Sequence, residues 1–168
     1  MMEFKDQIGN TIKLGGKPKR VISIVPSQSE FLWEIGLRDE LVGITKFCVH
    51  PNEMFSTIER VGGTKKLHID KIRALKPDLI IGNKEENEQA DIEVLQKEFN
   101  LWISDIYNFE DSFKMMIELG IILGKETETN SLVSKIKKSL LEIKDIFSNQ
   151  KVAYFIWKSP YMLAASNT

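Results

Sequence analysis

A single cysteine, Cys48, stands in a chain of 168 residues, so no internal disulfide can form and cysteine usage does not indicate the compartment. No apolar run approaches the roughly 20 residues needed to span a bilayer. The chain carries charge from Glu3 onward and has no apolar h-region, which predicts that it has no secretory signal as written. These absences argue against a disulfide scaffold and against a membrane-spanning protein.

Neither sign of charge is in excess. The 23 Lys and Arg stand against 24 Asp and Glu, which gives a net charge of −1 at pH 7. The chain therefore lacks the basic field of a nucleic-acid binder and the acidic tail of a solvating segment. With 42% hydrophobic residues, its length suffices for one autonomous domain and is short for two.

The motifs of common α/β enzymes are also missing. No G-x-G-x-x-G follows a strand, and neither G-x-x-x-x-G-K-[ST] nor G-x-S-x-G occurs. His50 and His68 lack the i, i+4 spacing and the cysteine partners of a zinc site. No general base is identifiable beside Cys48. The sequence therefore predicts a protein that is not an enzyme and has no metal site of its own.

What the chain does contain is an alternation of buried-type strands and amphipathic helices. After a hairpin over residues 4–14, strands are predicted at 21–25, 41–45, 79–81 and 101–104. Helices are predicted after a capping box formed by Ser27 and Glu30, from Pro51, over 68–75, and around Ile92, Leu95 and Phe99. This alternation predicts an α/β, Rossmann-like lobe with a mostly parallel sheet.

Ligands of such sheets bind at the carboxyl ends of the strands. The loops at 26–30, 46–50, 62–66 and 83–87 follow predicted strands or lead into predicted helices, so they are expected to share one edge. This placement locates a candidate binding site without naming its ligand.

The last third of the chain has a different character. Residues 113–124 form an apolar-faced helix, and a second helix is predicted from Glu126 to Phe147, long enough to brace two lobes. A new strand at 152–157 then has no partner in the sequence. The predicted domains are an α/β lobe at 1–124, an interlobe helix at 125–148, and the first strand of an incomplete second lobe at 149–168. If this is the whole chain, the exposed apolar edge of the strand at 152–157 predicts dimerisation or poor solubility.

Several segments carry a family resemblance. The strings are KPKRVISIVPSQSEFLWEIGLRDELVGIT, then HP, then VGGTKKLHIDKIRALKPDLIIGNKEEN, and later ELGIILGKE. Together they resemble the N-terminal lobe and backbone helix of the helical-backbone (class III) substrate-binding proteins of ABC importers. The resemblance implies two α/β lobes joined by a long helix, with a cobalamin, haem or iron-siderophore ligand in the cleft. It also implies an extracytoplasmic location, although the missing signal leaves the cytoplasm open.

The resemblance implies particular site residues. Ligand contacts are expected from Ser27, Gln28, Phe47, Thr64, Lys65, Asn83, Lys84 and Glu85. Thr64 and Asn83 stand where cobalamin-binding relatives carry tryptophan, and a wall with Lys65, Lys84 and Glu85 suits an anionic or hydroxyl-rich chelate at least as well. Asp70 matches the acidic position that docks on arginines of the permease. Acids near helix starts, such as Glu85 and Asp70, also have an ordinary explanation in the helix dipole.

Three functions follow, in order of preference. The first is a receptor that closes around a metal chelate and delivers it to an ABC permease, with no cofactor required. The second is an intracellular sensor or carrier of such a chelate with the same fold and no permease. The third, and least favoured, is an α/β enzyme, because the phosphate-binding and hydrolase motifs are missing.

Overall fold

The computed structural model describes residues 2–146 and 153–163. The elements in chain order are β1 (Met2–Lys5), β2 (Thr11–Leu14), β3 (Val21–Ser23), α1 (Pro26–Glu34), β4 (Leu41–Ile44), α2 (Asn52–Thr57), β5 (Glu59–Arg60), β6 (Gly62–Gly63), β7 (Lys66–Leu67), α3 (Ile69–Leu75), β8 (Leu79–Asn83), α4 (Gln89–Glu98), β9 (Leu101–Ser104), α5 (Phe109–Leu123), α6 (Glu126–Ile146), β10 (Phe155–Lys158) and β11 (Tyr161–Leu163). The chain forms two compact units, Met1–Val133 and Ser134–Thr168. The domain borders inferred at 124 and 148 remain predictions.

The first unit is built around a five-stranded parallel sheet in the order β5-β4-β3-β8-β9. Strands β3, β8 and β9 are buried along their whole length, as expected for strands covered on both faces. Helices α3 and α4 cover one face, where Ile72 and Leu95 join Ile22 and Ile80 in one apolar cluster. The predicted α/β class with a mostly parallel sheet is confirmed.

The strand order changes direction between β3 and β8: strands that follow β3 are added on one side of the sheet, and the strand that follows β8 is added on the other. From β3 the chain passes through α1 to β4, whereas from β8 it passes through α4 to β9 on the other side. Since such crossovers are right-handed, α1 and α4 cover opposite faces. A crevice therefore opens between the carboxyl ends of β3 and β8, where ligands of doubly wound sheets bind.

The predicted capping box at the first helix is wrong. Helix α1 begins at Pro26, its N-cap is Val25, and no side chain caps it. Proline suits the first helical position because it has no N–H to satisfy there. Ser27 and Glu30 consequently lie inside the helix. Pro51, predicted as the first helical residue of α2, is instead its N-cap.

The prediction of an unpartnered final strand is also wrong. Strand β10 pairs antiparallel with β11, with Lys158 opposite Tyr161. Val152 and Phe147, the predicted ends of the strand and of the long helix, lie outside the described residues. The hairpin leaves Phe155, Trp157 and Tyr161 exposed by 59%, 63% and 73%. Dimerisation through this apolar edge stays a prediction, which sedimentation velocity tests directly.

Within the described residues, no helix combines the length and the apolar character that a membrane crossing requires. Helix α6 follows the αL C-cap of α5 at Gly124 and begins at Glu126, as predicted.

Close packing of α5 on α6 depends on Gly120. A Cβ added there would lie 2.6 Å from Thr129 Oγ1 and 2.9 Å from Thr129 Cβ, and Thr129 is itself buried. Gly120→Ala is expected to lower the free energy of unfolding by about 2 kcal/mol, because the two helices must separate. Urea denaturation measures this change. Gly15→Ala, where no atom lies within 4 Å, is the matched control; equal stabilities of the two variants would contradict the prediction.

Glu118 on α5 makes stability depend on pH. Desolvation raises the pKa of its carboxyl, opposed by Lys114 at 3.9 Å and reinforced by Asp6. The folded chain therefore holds the Glu118 proton to higher pH than the unfolded chain does, and stability falls as pH rises through the raised pKa. Glu118→Gln is expected to raise Tm at pH 7 and to leave it unchanged near pH 3. Thermal melts at the two pH values measure this, and a lower Tm of Glu118→Gln at pH 7 would refute it. Glu34→Gln, at an exposed position, is the control for loss of one negative charge.

Candidate ligand-binding site

Loops from separate strands meet at the carboxyl edge of the sheet, and the Asn87 side chain joins three of them. Its Nδ2 donates to the carbonyl oxygens of Ile24 at 3.0 Å and Thr64 at 3.2 Å, and its Oδ1 accepts from the Asn83 N–H at 2.8 Å. Asn87 is 5% exposed. The loop after β3, the β6–β7 hairpin and the loop after β8 are thus held together at the crevice.

The residues predicted to contact the ligand line three neighbouring hollows. Ser27, Gln28, Asn83 and Glu85 line a hollow of about 440 Å³ beside α1 and α5, the α5 hollow. Phe47, Thr64 and Lys65 line a hollow of about 580 Å³ around the β6–β7 hairpin. Lys84 lines a third, of about 740 Å³, together with residues of α4 and of the N-terminal hairpin. The first two hollows meet where Lys65 Nζ donates to the Glu85 carbonyl at 2.7 Å.

Gln28, Thr64 and Asn83 are buried, and two of them organise the edge from within. Gln28 Nε2 donates to Ser104 Oγ at 2.6 Å, which ties α1 to the end of β9. Asn83 Oδ1 accepts from the N–H groups of Glu85 and Glu86, which shapes the loop after β8. Gln28 Oε1 has no hydrogen-bond partner among the described residues, so this buried acceptor at the α5 hollow has capacity for a donor.

The other predicted residues present their side chains to solvent. Ser27, Lys65, Lys84 and Glu85 are exposed, and Phe47 is 52% exposed. Lys84 Nζ lies 2.8 Å from Asp105 Oδ2 and 3.3 Å from the Tyr107 hydroxyl. These hydrogen bonds, led by the one to Asp105, raise the pKa of Lys84 above its usual range. Lys84 is therefore cationic and already paired.

The sequence interpretation missed several residues of this edge. They are Asn87, Asp105, Ile106, Tyr107, Met115 and Met116. Strand β9 ends at Ser104, so the rule that selected the other loops also selects residues 105–107. Met115 and Met116 have no comparable signal, because only the packing of α5 against α1 brings them to the α5 hollow.

Asp70 lies on α3 outside the three hollows. Its side chain is 97% exposed and pairs with Arg73 at 2.9 Å, while the same guanidinium makes two hydrogen bonds to Glu98. The Asp70 carboxylate is therefore accessible on the surface.

The described residues at this edge form no metal-binding cluster, and the Cys48 thiol is buried. Among the described residues, no group of three or more His, Cys, Asp or Glu is placed to hold a metal ion. Cys48 is fully buried, and its Sγ lies 3.2 Å from both Thr45 Oγ1 and Ser29 Oγ. What the edge offers is a set of polar, aromatic and cationic contacts suited to binding.

A protein-family model described as "Periplasmic binding protein" matches residues 21–168. The ABC transporter substrate-binding lipoprotein YvrC of Bacillus subtilis (strain 168) is 28% identical over 164 residues, which cover 92% of this chain and 51% of YvrC. The chain thus spans about half the length of this curated relative. The matched family is one of extracytoplasmic binding proteins, not enzymes.

Solved structures share the fold at low sequence identity. The petrobactin-binding protein YclQ from Bacillus subtilis aligns with a TM-score of 0.81 at 22% identity, over 92% of this chain and 56% of YclQ. The periplasmic vitamin B12-binding protein BtuF of Vibrio cholerae aligns with a TM-score of 0.75 at 22% identity, over 86% of this chain and 58% of BtuF. With the family match over most of its length, the chain belongs to the periplasmic binding protein family.

Proposed function

We propose that this chain supplies one wall of the ligand cleft in a substrate receptor of an ABC importer for a metal chelate. One observation carries the proposal: separate loops place polar and aromatic side chains together at the crevice where the strand order reverses. The chelate, whether an iron-siderophore, haem or a cobalamin-like molecule, is the cargo, and no resident cofactor takes part. The location in this proposal is extracytoplasmic, which the family description and the periplasmic BtuF support.

The arrangement suits capture rather than chemistry. Phe47 offers an exposed ring, Lys65 and Ser27 offer donors, and buried Gln28 and Asn83 hold the loops in place. Preformed hollows with a few precisely placed polar groups bind small molecules without a catalytic group. Closure of a second wall over the ligand would complete the cleft by hinge motion.

The direct test is titration of the chain with cyanocobalamin, haemin, ferric citrate and ferrioxamine B, followed by calorimetry. Binding of at least one chelate is expected, and Phe47→Ala should weaken that binding about tenfold, which corresponds to about 1.4 kcal/mol. Val49→Ala is the matched control, because Val49 is similarly exposed and lines none of the three hollows. Absence of heat with all four chelates would refute the proposal.

Delivery to a permease depends in this proposal on Asp70, whose exposed carboxylate faces arginines of the partner. Asp70→Asn is expected to leave chelate affinity unchanged and to slow uptake about tenfold, because the docking charge is lost. The ion pair with Arg73 is lost too, but it is exposed on the surface and contributes little to stability. Transport into proteoliposomes containing the permease measures the effect, with the exposed Asp39→Asn as control. Unchanged uptake by Asp70→Asn would remove Asp70 from the docking surface.

A further inference from the structure

Positive charge is concentrated in the hollow around the β6–β7 hairpin. Five Lys and Arg side chains line it together with one phenyl ring and one imidazole: Lys46, Arg60, Lys65, Lys66, Lys71, Phe47 and His68. No carboxylate of the described residues lines this hollow, although the chain as a whole has a net charge of −1. We refer to it as the cationic hollow.

The charges in the cationic hollow are largely uncompensated. Lys71 pairs with Glu59 at 2.8 Å, and this interaction, together with the weaker attraction of the nearby Arg60 charge, lowers the pKa of Glu59. Lys46, Arg60, Lys65 and Lys66 form no ion pair with any described residue. Four like charges around one concave surface produce a field that attracts an anion and raises its local concentration.

Neutral groups hold three of these cations in place. Lys65 Nζ donates to the Glu85 carbonyl at 2.7 Å, and Arg60 Nη1 donates to the Phe55 carbonyl at 2.6 Å. Lys46 Nζ lies 5.0 Å from the centroid of the Phe47 ring. Carbonyl and ring partners orient a cation without cancelling its charge, so less conformational entropy is lost when an anion binds.

The neighbouring α5 hollow has the opposite character. Its lining includes Glu85, Glu86, Phe31 and the sulfur-bearing side chains of Met115 and Met116. No basic side chain from the described part of the chain lines it. The carboxyl edge is therefore polarised, with cations at the β6–β7 end and acidic and apolar groups beside α5. A ligand that spans both hollows has one favourable orientation.

We propose that the ligand is an anionic, carboxylate-bearing metal chelate whose carboxylates occupy the cationic hollow while its less charged part lies toward α5. This inference rests on the proposed function and narrows it to a class of ligand. It also predicts that salt weakens binding, because ions in solution screen exposed charges.

The test compares two double variants of the chain by calorimetry at 20 and 300 mM NaCl. Lys46→Gln with Lys66→Gln removes two cations of the hollow that form neither ion pairs nor side-chain hydrogen bonds to described residues. Lys5→Gln with Lys97→Gln makes the same change of net charge at exposed positions outside the hollow. The probes are ferric citrate and ferric EDTA as anionic chelates, ferrioxamine B as a cationic chelate, cyanocobalamin as a neutral one, and metal-free citrate.

We expect an anionic chelate to bind best. At low salt, the Kd for that chelate should rise at least tenfold in the Lys46/Lys66 variant. The Lys5/Lys97 variant should bind it as the parent chain does. Preference for ferrioxamine B or cyanocobalamin, or equal affinity of both variants for the anionic chelates, overturns this inference and leaves the proposed function standing. Metal-free citrate binding as tightly as the iron chelates, with the same dependence on Lys46 and Lys66, supports the anion site and overturns the chelate receptor. Absence of binding by every probe, and by haemin as well, overturns both.

Discussion

Replacement of Asn87 by alanine is expected to lower the free energy of unfolding by about 3 kcal/mol and to abolish chelate binding. The substitution removes the acceptor of the Asn83 N–H and the donor to the carbonyl oxygens of Ile24 and Thr64. Buried polar groups that lose their partners cost about 1 to 3 kcal/mol each, and water recovers part of that loss. Urea denaturation and calorimetry with the preferred chelate measure the two effects.

Asn87→Asp separates the two halves of this interaction. This variant keeps an oxygen that accepts from the Asn83 N–H, but it loses the donor, so a carboxylate faces two carbonyl oxygens. We therefore expect it to be destabilised about as much as Asn87→Ala. The exposed Asn52→Ala is the matched control and should change stability by less than about 0.5 kcal/mol. Asn87→Ala with stability within 1 kcal/mol of the parent chain would show that the three loops do not depend on this side chain.

Much of the fold could be predicted because the relevant signals are local. Strand β9 matches its predicted bounds, since Leu101 to Ser104 is a short apolar run after a helix end. Helix α6 begins at Glu126 as predicted, because the αL residue Gly124 ends the preceding apolar-faced helix. The short strands β5, β6 and β7 were not predicted, since two-residue strands contain too little sequence to show periodicity.

The sequence predicts where the candidate site lies, but not which of its side chains face the ligand. The rule that ligands bind at strand carboxyl ends selects the correct loops, which the Lys65 to Glu85 hydrogen bond joins. The rule does not tell which side chains turn inward: Gln28 and Asn83 are committed to hydrogen bonds with Ser104. Nor does it reveal that Lys46, Arg60 and Lys66 meet around one hollow, because hairpin pairing between β6 and β7 decides that.

The β6–β7 hairpin that shapes the cationic hollow depends on Gly62, and Gly62→Ala is expected to lower the free energy of unfolding by about 3 kcal/mol. Gly62 has a φ of +113°, a region that other residues rarely adopt. An added Cβ would lie 2.5 Å from the Lys66 carbonyl oxygen and 3.0 Å from His68 N. Both neighbours are backbone atoms, so no side-chain rotation relieves the clash and the hairpin must open.

Opening the hairpin moves Lys65 and Lys66 away from Lys46 and Phe47, so binding of the anionic chelate should weaken by more than the loss of stability alone explains. Calorimetry at a temperature where the variant remains folded, as judged by circular dichroism, isolates that effect. Gly15→Ala, with no atom within 4 Å of the added Cβ, is the matched control for both measurements. Full stability of Gly62→Ala would mean that the strained backbone is not required. A destabilised variant with unchanged affinity would instead show that the hairpin does not position the cations, because the affinity of a hollow for an anion depends on where its charges are held.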